Sequence, residues 1–429
     1  MGWLRHFSVI FFAVVFYKIY TYFRGTSLPP VVEGNFHPDF REVANVFRKL
    51  VEDGSEKGAS FAVYYRGKPV VDMWGGYVDL ESEQRWREDT MTLVFSCTKG
   101  VAAIVAAKLA DRGFLDYKKL VSHYWPGFGK NGKENITVEM LLSHQAGLVT
   151  TNETVPLHWL LTDPDRLEQF LENQTPTIEP GLGVIYHAIT YGLYLDRLLP
   201  KIDPKGRSVK QMFEEDFANK FNIDFSIGST QSDDYRFAPF TSLDVSNLIF
   251  RFLTKPSYWD VLLNMAWPNS LVLTAMTAIK ETEKIAMFRN PEIRQVPLVS
   301  TMGHGNARSL AKLYGILANG GQMDGKQMLS QDMINILNKP VVDKLSLDLY
   351  RPVTYGLGVI FFGNPQGGKV FGHTGFGGQM ANADLKNHLS VAYITNHLSE
   401  YAFGDDPKYL ALQKATYNCL EKHSKRYSN

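Results

Sequence analysis

The strand signals of this chain lie near its two ends, and the long middle is helical. Near the start, ASFAVYYRGKPVVDMWGGY gives two short β runs around Arg66–Gly67–Lys68, which is a hairpin signal. Near the end, TYGLGVIFFG, GKVFGHTGFGGQMANADL and HLSVAYITNHL predict three consecutive strands with glycine-rich turns. Residues from about 114 to 340 are mostly helical patches broken by Pro and Gly, without an internal repeat. We therefore expect the two ends to build one sheet, with the helical middle inserted between them.

Helical patterns accompany both groups of strands. FREVANVFRKLVEDG places Val43, Phe47 and Leu50 on one helical face, and an Ala/Val-rich helix is predicted over 96–112, closed by Gly113. The C-terminal YLALQKATYNCLEKHSKRYSN predicts an amphipathic helix packed on the edge of a sheet. The sequence therefore predicts an α/β (α+β) protein.

The same patterns predict one structural unit over residues 38–429. An α/β lobe is expected from about 38–113 together with 340–429, and a helical lobe from about 114–339. A string of independent domains would instead show polar or Pro-rich linkers between complete cores.

Charge and cysteine content exclude several functions. Lys and Arg number 45 and Asp and Glu 44, so the net charge of +1 leaves no basic surplus for nucleic acid. Only Cys97 and Cys419 occur, which excludes a disulfide scaffold and any CxxC zinc site.

The N-terminus predicts contact with a membrane. Phe7–Tyr17 is an almost unbroken apolar run, shorter than a full span. We interpret residues 1–25 as an uncleaved signal anchor; a cleaved signal peptide and a buried helix are the alternatives. This interpretation predicts a body in the secretory pathway, lumenal or extracellular if anchored and secreted if cleaved. Three sequons are then expected to carry glycans: Asn135, Asn152 and Asn173.

Several motif matches lack the sequence context that their usual function requires. The GxGxxG match at 127–132 follows no strand, and G-x4-G-K at 320–326 lacks the Ser or Thr of a phosphate loop. No G-x-S-x-G or H-E-x-x-H occurs, and the 11 histidines show no metal spacing. We therefore expect no metal and no organic cofactor, and we interpret His144, His187 and His304 as structural.

Ser96-Cys97-Thr98-Lys99 is an S-x-x-K tetrad at the entry to the Ala/Val-rich helix. Residues i and i+3 share a helix face, so the Lys99 amine can reach the Ser96 hydroxyl. Serine is a weak nucleophile that needs a neighbouring base, and burial can lower the pKa of a lysine enough to supply one. A second copy, Ser309 to Lys312, shows that the tetrad alone is weak evidence.

Further blocks follow Ser96 in order: LLSHQAGL (141–148), EPGLGVIYHAITYGLYL (179–195), NARSLAKLYGILANGG (306–321) and FGHTGFGG (371–378). With them the chain resembles the serine β-lactamase-related family, which includes class C β-lactamases, DD-peptidases and family VIII carboxylesterases, over about 38–429. The resemblance implies an antiparallel sheet flanked by helices with an inserted all-helical lobe. It also assigns the second S-x-x-K to a structural helix.

The resemblance implies roles for named residues. Ser96 would be acylated, while Lys99 and Tyr186 would shuttle its proton, with Lys99 stabilising a Tyr186 phenolate. The backbone N–H groups of Ser96 and Phe376 would form the oxyanion hole. The third family motif, expected to contact substrate, would be His373, Thr374 and Gly375. Cys97 is expected to be a small buried filler.

Two departures bear on the substrate. Ala188 stands where the family's second motif has an amide, and His373 where the third has lysine. Histidine is a weaker, pH-dependent cation. Both changes weaken recognition of a β-lactam carboxylate, so we expect a serine hydrolase acting on a small carboxylic ester or lactone. The alternatives are a silent scaffold and an amide hydrolase, either a D-amino-acid peptidase or a β-lactamase.

Overall fold

One large antiparallel sheet joins the two ends of the chain in the computed structural model, which describes residues 28–241, 270–282, 284–401 and 403–427 together with Phe16 and Trp259. In chain order, the described strands are β1 (Val32–Phe36), β2 (Gly58–Tyr65), β3 (Lys68–Asp79), β4 (Gln84–Arg85), β5 (Thr92–Leu93), β6 (Phe225–Ile227), β7 (Gly303–Gly305), β8 (Gln322–Met323), β9 (Lys326–Gln327), β10 (Val342–Leu345), β11 (Pro352–Tyr355), β12 (Ile360–Gly363), β13 (Lys369–Gly375), β14 (Gln379–Asp384) and β15 (Leu389–Thr395). The large sheet has the order β1-β3-β2-β15-β14-β13-β12-β11-β10, with β4 paired to β3. A small sheet, β5-β7-β6, and the hairpin β8-β9 lie outside it.

Helices cover the sheet and fill the middle of the chain. The described α-helices are α1 (Arg41–Glu52), α2 (Cys97–Asp111), α3 (Val121–Tyr124), α4 (Val138–Leu142), α5 (Trp159–Thr162), α6 (Pro164–Glu172), α7 (Thr190–Ile202), α8 (Val209–Phe213), α9 (Asn219–Phe221), α10 (Leu271–Met276), α11 (Pro291–Arg294), α12 (Ala307–Ala318), α13 (Gln331–Leu337) and α14 (Pro407–Tyr427). Short 3₁₀ turns are Pro38–Phe40, Pro126–Phe128, Gln231–Arg236, Lys280–Thr282 and Ile285–Arg289, and a π turn is Glu214–Ala218.

The pairing of β2 with β15 closes the two ends of the chain into one sheet, as the sequence predicted. The predicted hairpin is β2–β3, where Arg66 and Gly67 have φ values of +49° and +74°. A tight two-residue turn of this kind needs a positive φ at both positions. The Ala/Val-rich helix is α2. Gly113, which has a positive φ, lies just after its C-terminal end.

The C-terminal strand group differs from the prediction in number. The segment predicted as one strand over GKVFGHTGFGGQMANADL forms two antiparallel strands, β13 and β14. Gly377 and Gly378 have φ values of +83° and +98°, so the chain reverses between the two strands.

Helices cover both faces of the sheet, because successive apolar side chains of a strand point to opposite faces. Phe61 and Val63 of β2 pack in one core with α1 and α14. Ala62 and Tyr64 point the other way, into a second core that contains α2 and α12. Almost every side chain of α2 is buried, which makes it the central helix of the protein. The division into an α/β lobe and a helical lobe stays a prediction, although α12, from the middle of the chain, packs on β2, β14 and β15.

The prediction of a transmembrane segment is wrong for the part of the chain that the structure describes. Among those residues no helix has both the length and the apolar character to cross a membrane. The segment interpreted as a signal anchor, residues 1–25, lies outside the described residues except for Phe16.

Candidate active site

Ser96 lies at the entry to α2, directly after a residue with an unfavourable backbone conformation. Phe95 has φ +47°, in the left-handed region that is costly for a bulky side chain. Its ring is packed among three others, with centroid distances of 5.4, 5.8 and 5.6 Å to Phe240, Phe288 and Phe376. Such conformations persist only where packing enforces them, and they cluster at functional sites.

Lys99 is a fully buried amine that points at Ser96. Its Nζ lies 3.1 Å from Ser96 Oγ, 2.8 Å from the carbonyl oxygen of Ala188 and 3.0 Å from that of Ser300. Burial lowers the pKa of the Lys99 amine well below its ordinary value of 10.5. A neutral amine has two N–H groups for the two carbonyls and a lone pair for the serine hydroxyl. An ammonium would fit the same three oxygens with its three N–H groups, and burial favours the neutral form.

Tyr186 completes this group from the segment before α7. Lys99 Nζ lies 4.9 Å from the centroid of the Tyr186 ring, and the Tyr186 hydroxyl hydrogen-bonds with Ser96. Burial raises the pKa of the Tyr186 phenol, and the hydrogen bond with Ser96 only partly opposes this. The side chain is thus a protonated phenol near neutral pH in the resting site, and the phenolate that the resemblance implied stays a prediction.

β13 brings the third predicted motif beside Ser96. A Cβ on Gly375 would lie 2.3 Å from the carbonyl oxygen of Val94, so only glycine allows the strand to approach the residues before Ser96 so closely. The Thr374 hydroxyl donates to the Gln379 carbonyl at 3.0 Å. The Cys97 thiol, buried as predicted, donates to the carbonyl oxygen of His373 at 3.3 Å.

His373 is neutral in this environment, because burial lowers its pKa to about 3, with a further contribution from Lys99. Its Nδ1 lies 2.6 Å from the Thr374 carbonyl oxygen. A carbonyl only accepts, so Nδ1 carries the proton and Nε2 is left with a lone pair. The expected pH-dependent cation is therefore absent near neutral pH.

Two backbone N–H groups are free at this point of the fold. Among the described residues, neither the Ser96 N–H nor the Phe376 N–H donates a hydrogen bond. The contact between the Phe95 and Phe376 rings holds the two segments together. The structure thus brings together the predicted Ser96, Lys99, Tyr186, His373 and Phe376.

The residues 43–416 match the sequence pattern of the Beta-lactamase family. The chain is also 30% identical, over 385 residues, to the Esterase/beta-lactamase LipL of Mycobacterium tuberculosis, a match that spans 86% of this chain and 83% of that protein. The chain belongs to the beta-lactamase family.

Solved structures agree with this assignment. A family VIII carboxylesterase is similar with a TM-score of 0.80 and 32% identity, over 91% of this chain and 100% of that one. A penicillin-binding protein homologue from Caulobacter crescentus is similar with a TM-score of 0.76 and 30% identity, over the same shares. The predicted resemblance, the fold class and the prediction of a serine hydrolase enzyme are confirmed.

Several parts of this beta-lactamase-family site were not predicted from the sequence. The carbonyl groups of Ala188 and Ser300 carry no sequence signal, since every residue has one. The His144 ring lies 4.7 Å from the Tyr186 ring, and the Nδ1 atoms of His144 and His187 are 3.4 Å apart, so this pair lies at the site. Its structural role stays a prediction. LLSHQAGL and the Tyr186-His187-Ala188 block were the available signals for this pair.

One group of side chains among the described residues has the spacing to hold a metal ion: His37, Asp39 and His423. Asp39 is already paired with His423 at 2.7 Å and with Arg426. This group joins the N-terminal 3₁₀ turn to α14. We interpret it as an ion-paired cluster that holds these two elements together.

The three sequon asparagines, Asn135, Asn152 and Asn173, are exposed. Exposure is the usual state of asparagine, so it does not distinguish a glycan acceptor from any other surface residue. The predicted signal segment and the predicted glycosylation are left without support.

The low pKa of His373 predicts a specific pH dependence of stability. In the unfolded state His373 takes up a proton below its ordinary pKa of 6.5, whereas the folded state keeps it neutral down to about 3. Stability is therefore lost as the pH falls through this window, by roughly 1 kcal/mol from this group between about pH 6.5 and 5.5. The His373→Asn variant lacks this loss, so its free energy of unfolding should rise by that amount relative to wild type in urea titrations at the two pH values. The exposed His158→Asn is the control, and a constant difference for His373→Asn would contradict the prediction.

Proposed function

We propose that this enzyme hydrolyses small carboxylic esters or lactones through an acyl-enzyme at Ser96. The observation that carries the proposal is the buried Lys99 amine, 3.1 Å from Ser96 Oγ and held by two carbonyl oxygens. Burying an amine is costly, and a silent scaffold would gain nothing from placing one beside a partly exposed serine.

In acylation, the neutral Lys99 amine takes the hydroxyl proton of Ser96 while Oγ attacks the ester carbonyl carbon. The free N–H groups of Ser96 and Phe376 bind the oxyanion that forms. When the tetrahedral intermediate collapses, the Tyr186 phenol donates its proton to the leaving oxygen and regains one from the Lys99 ammonium. An alcohol leaves, and Ser96 carries the acyl group.

Deacylation repeats these transfers with water. Lys99 accepts a proton from a water molecule whose oxygen attacks the acyl carbonyl, and Ser96 Oγ leaves as it regains its proton. The products are a carboxylic acid and the free enzyme. Tyr186 acts throughout as a proton donor, which agrees with the raised pKa of its phenol.

The charge of the site favours a neutral ester over an anionic β-lactam. His373 is neutral where the family has lysine, and Ala188 offers no side-chain amide. A β-lactam carboxylate would therefore meet no cation from this motif and no amide from Ala188. Relatives that share about 30% identity include an esterase/beta-lactamase and a carboxylesterase, which supports ester chemistry.

The nucleophile assignment predicts selective labelling of Ser96. Wild type treated with a fluorophosphonate probe should gain a single adduct on the Ser96 peptide, because the buried Lys99 amine lies 3.1 Å from the Ser96 hydroxyl oxygen and activates it. Ser96→Ala should gain none. Ser309→Ala, in the second S-x-x-K, is the matched control and should label like wild type, since Lys312 Nζ donates instead to the Asn222 carbonyl. Intact and peptide mass spectrometry reads the result, and equal labelling of wild type and Ser96→Ala would exclude Ser96.

The substrate assignment predicts that short-chain p-nitrophenyl esters turn over and nitrocefin does not. We expect kcat/KM for the ester to exceed that for nitrocefin by roughly 10³-fold or more, because the third motif lacks a cation for the β-lactam carboxylate. Introducing the charge with His373→Lys should raise nitrocefin turnover relative to ester turnover. Comparable turnover of both substrates by wild type would contradict the assignment.

A further inference from the structure

Asp348 is a buried carboxylate outside the family motifs named above. It lies in the turn between β10 and β11, and only 2% of its surface is exposed. Its Oδ2 accepts a hydrogen bond from the backbone N–H of Tyr186 at 3.2 Å. Ser346 donates its hydroxyl to Oδ1, and the backbone N–H groups of Asp348 and Leu349 also hydrogen-bond to the carboxylate. A carboxylate removed from water needs such donors, so its position is fixed by the turn.

The β10–β11 turn is joined to the Tyr186 segment by the main chain as well. Leu347 N–H donates to the Val184 carbonyl at 3.0 Å, and Val184 and Ser346 form a parallel bridge. Within the turn, Tyr350 N–H donates to the Ser346 carbonyl at 3.0 Å. One β-bridge and one further main-chain hydrogen bond therefore join the turn to the residues that precede Tyr186.

The same hairpin also restricts the position of the Tyr186 ring. The ring centroid of Tyr355 in β11 lies 4.8 Å from that of His144, and the His144 centroid lies 4.7 Å from that of Tyr186. Tyr186 also packs on a small cluster formed by Val184, Val342 and Tyr355. The hairpin thus holds Tyr186 at its backbone through Asp348 and at its ring through His144.

We propose that Asp348 is a positioning residue, which fixes the Tyr186 hydroxyl for proton transfer at Ser96 by anchoring the Tyr186 main chain to the β10–β11 turn. This inference rests on the proposed function, in which Tyr186 donates a proton to the leaving oxygen. Asp348 does not touch the reacting atoms, and it acts only through Tyr186. Displacements of about 1 Å at a catalytic group cost up to about a hundredfold in rate.

A double-mutant cycle tests this role. Asp348→Asn keeps the shape and one acceptor but loses the carboxylate. For ethyl butyrate, whose alkoxide leaving group needs a proton, we expect kcat to fall roughly ten- to a hundredfold with KM little changed. In a Tyr186→Phe background, Asp348→Asn should change kcat by less than about twofold, because no hydroxyl is left to position. Asp343→Asn is the control, an exposed carboxylate of the same hairpin that lies 3.8 Å from Lys369, and it should match wild type.

The outcomes separate this inference from the proposed function. Equal fractional losses from Asp348→Asn in both backgrounds would show a merely structural role and overturn the inference, as would unchanged kcat in the single variant. Wild-type kcat in Tyr186→Phe alone would instead overturn the role of Tyr186 in the proposed function, and the inference with it. If Asp348→Asn does not fold, Ser346→Ala removes one donor to the carboxylate, and the same cycle with Tyr186→Phe should show a smaller loss with the same coupling.

Discussion

The burial of the Lys99 amine is the constraint on which the site depends. An amine in water holds its proton at neutral pH, and desolvation lowers the pKa of the Lys99 amine well below its ordinary value, as the proposed role of a base requires. That desolvation requires α2 to be buried on nearly all sides, between the sheet and the segments that contribute the carbonyl groups of Ala188 and Ser300. These two segments come from the middle of the chain, whereas the sheet comes from its ends. Residues from the middle of the chain therefore enclose the Lys99 amine together with the sheet.

Burial also removes charge from the neighbouring side chains. It raises the pKa of the Tyr186 phenol and lowers the pKa of His373 to about 3 and that of His187 to about 4. A site built this way holds neutral side chains around Ser96, as the proposed proton transfers require. It suits a neutral ester, whose only charge is the oxyanion that develops during the reaction.

Local patterns predicted the parts of the structure that depend on local chemistry. The Arg66–Gly67 turn, the α2 helix and the sheet formed from both chain ends followed from periodicity and turn residues. The S-x-x-K tetrad and the ordered blocks located the candidate site. Long-range packing decides the rest. Three features arise only when distant segments meet: the positive φ of Phe95, the carbonyl partners of Lys99 and the contact of Asp348 with Tyr186. No residue type in the sequence predicts them.

The most direct test of the account is the pKa of Lys99 measured by NMR on enzyme carrying ¹³C-labelled lysine, with Lys99→Arg used to assign the Lys99 side-chain signal. We predict that Lys99 titrates well below its ordinary pKa of 10.5 and is a neutral amine at the pH where esters turn over. A Lys99 side chain that stays protonated up to its ordinary pKa would contradict the account, because Ser96 would then have no neutral amine to accept its proton.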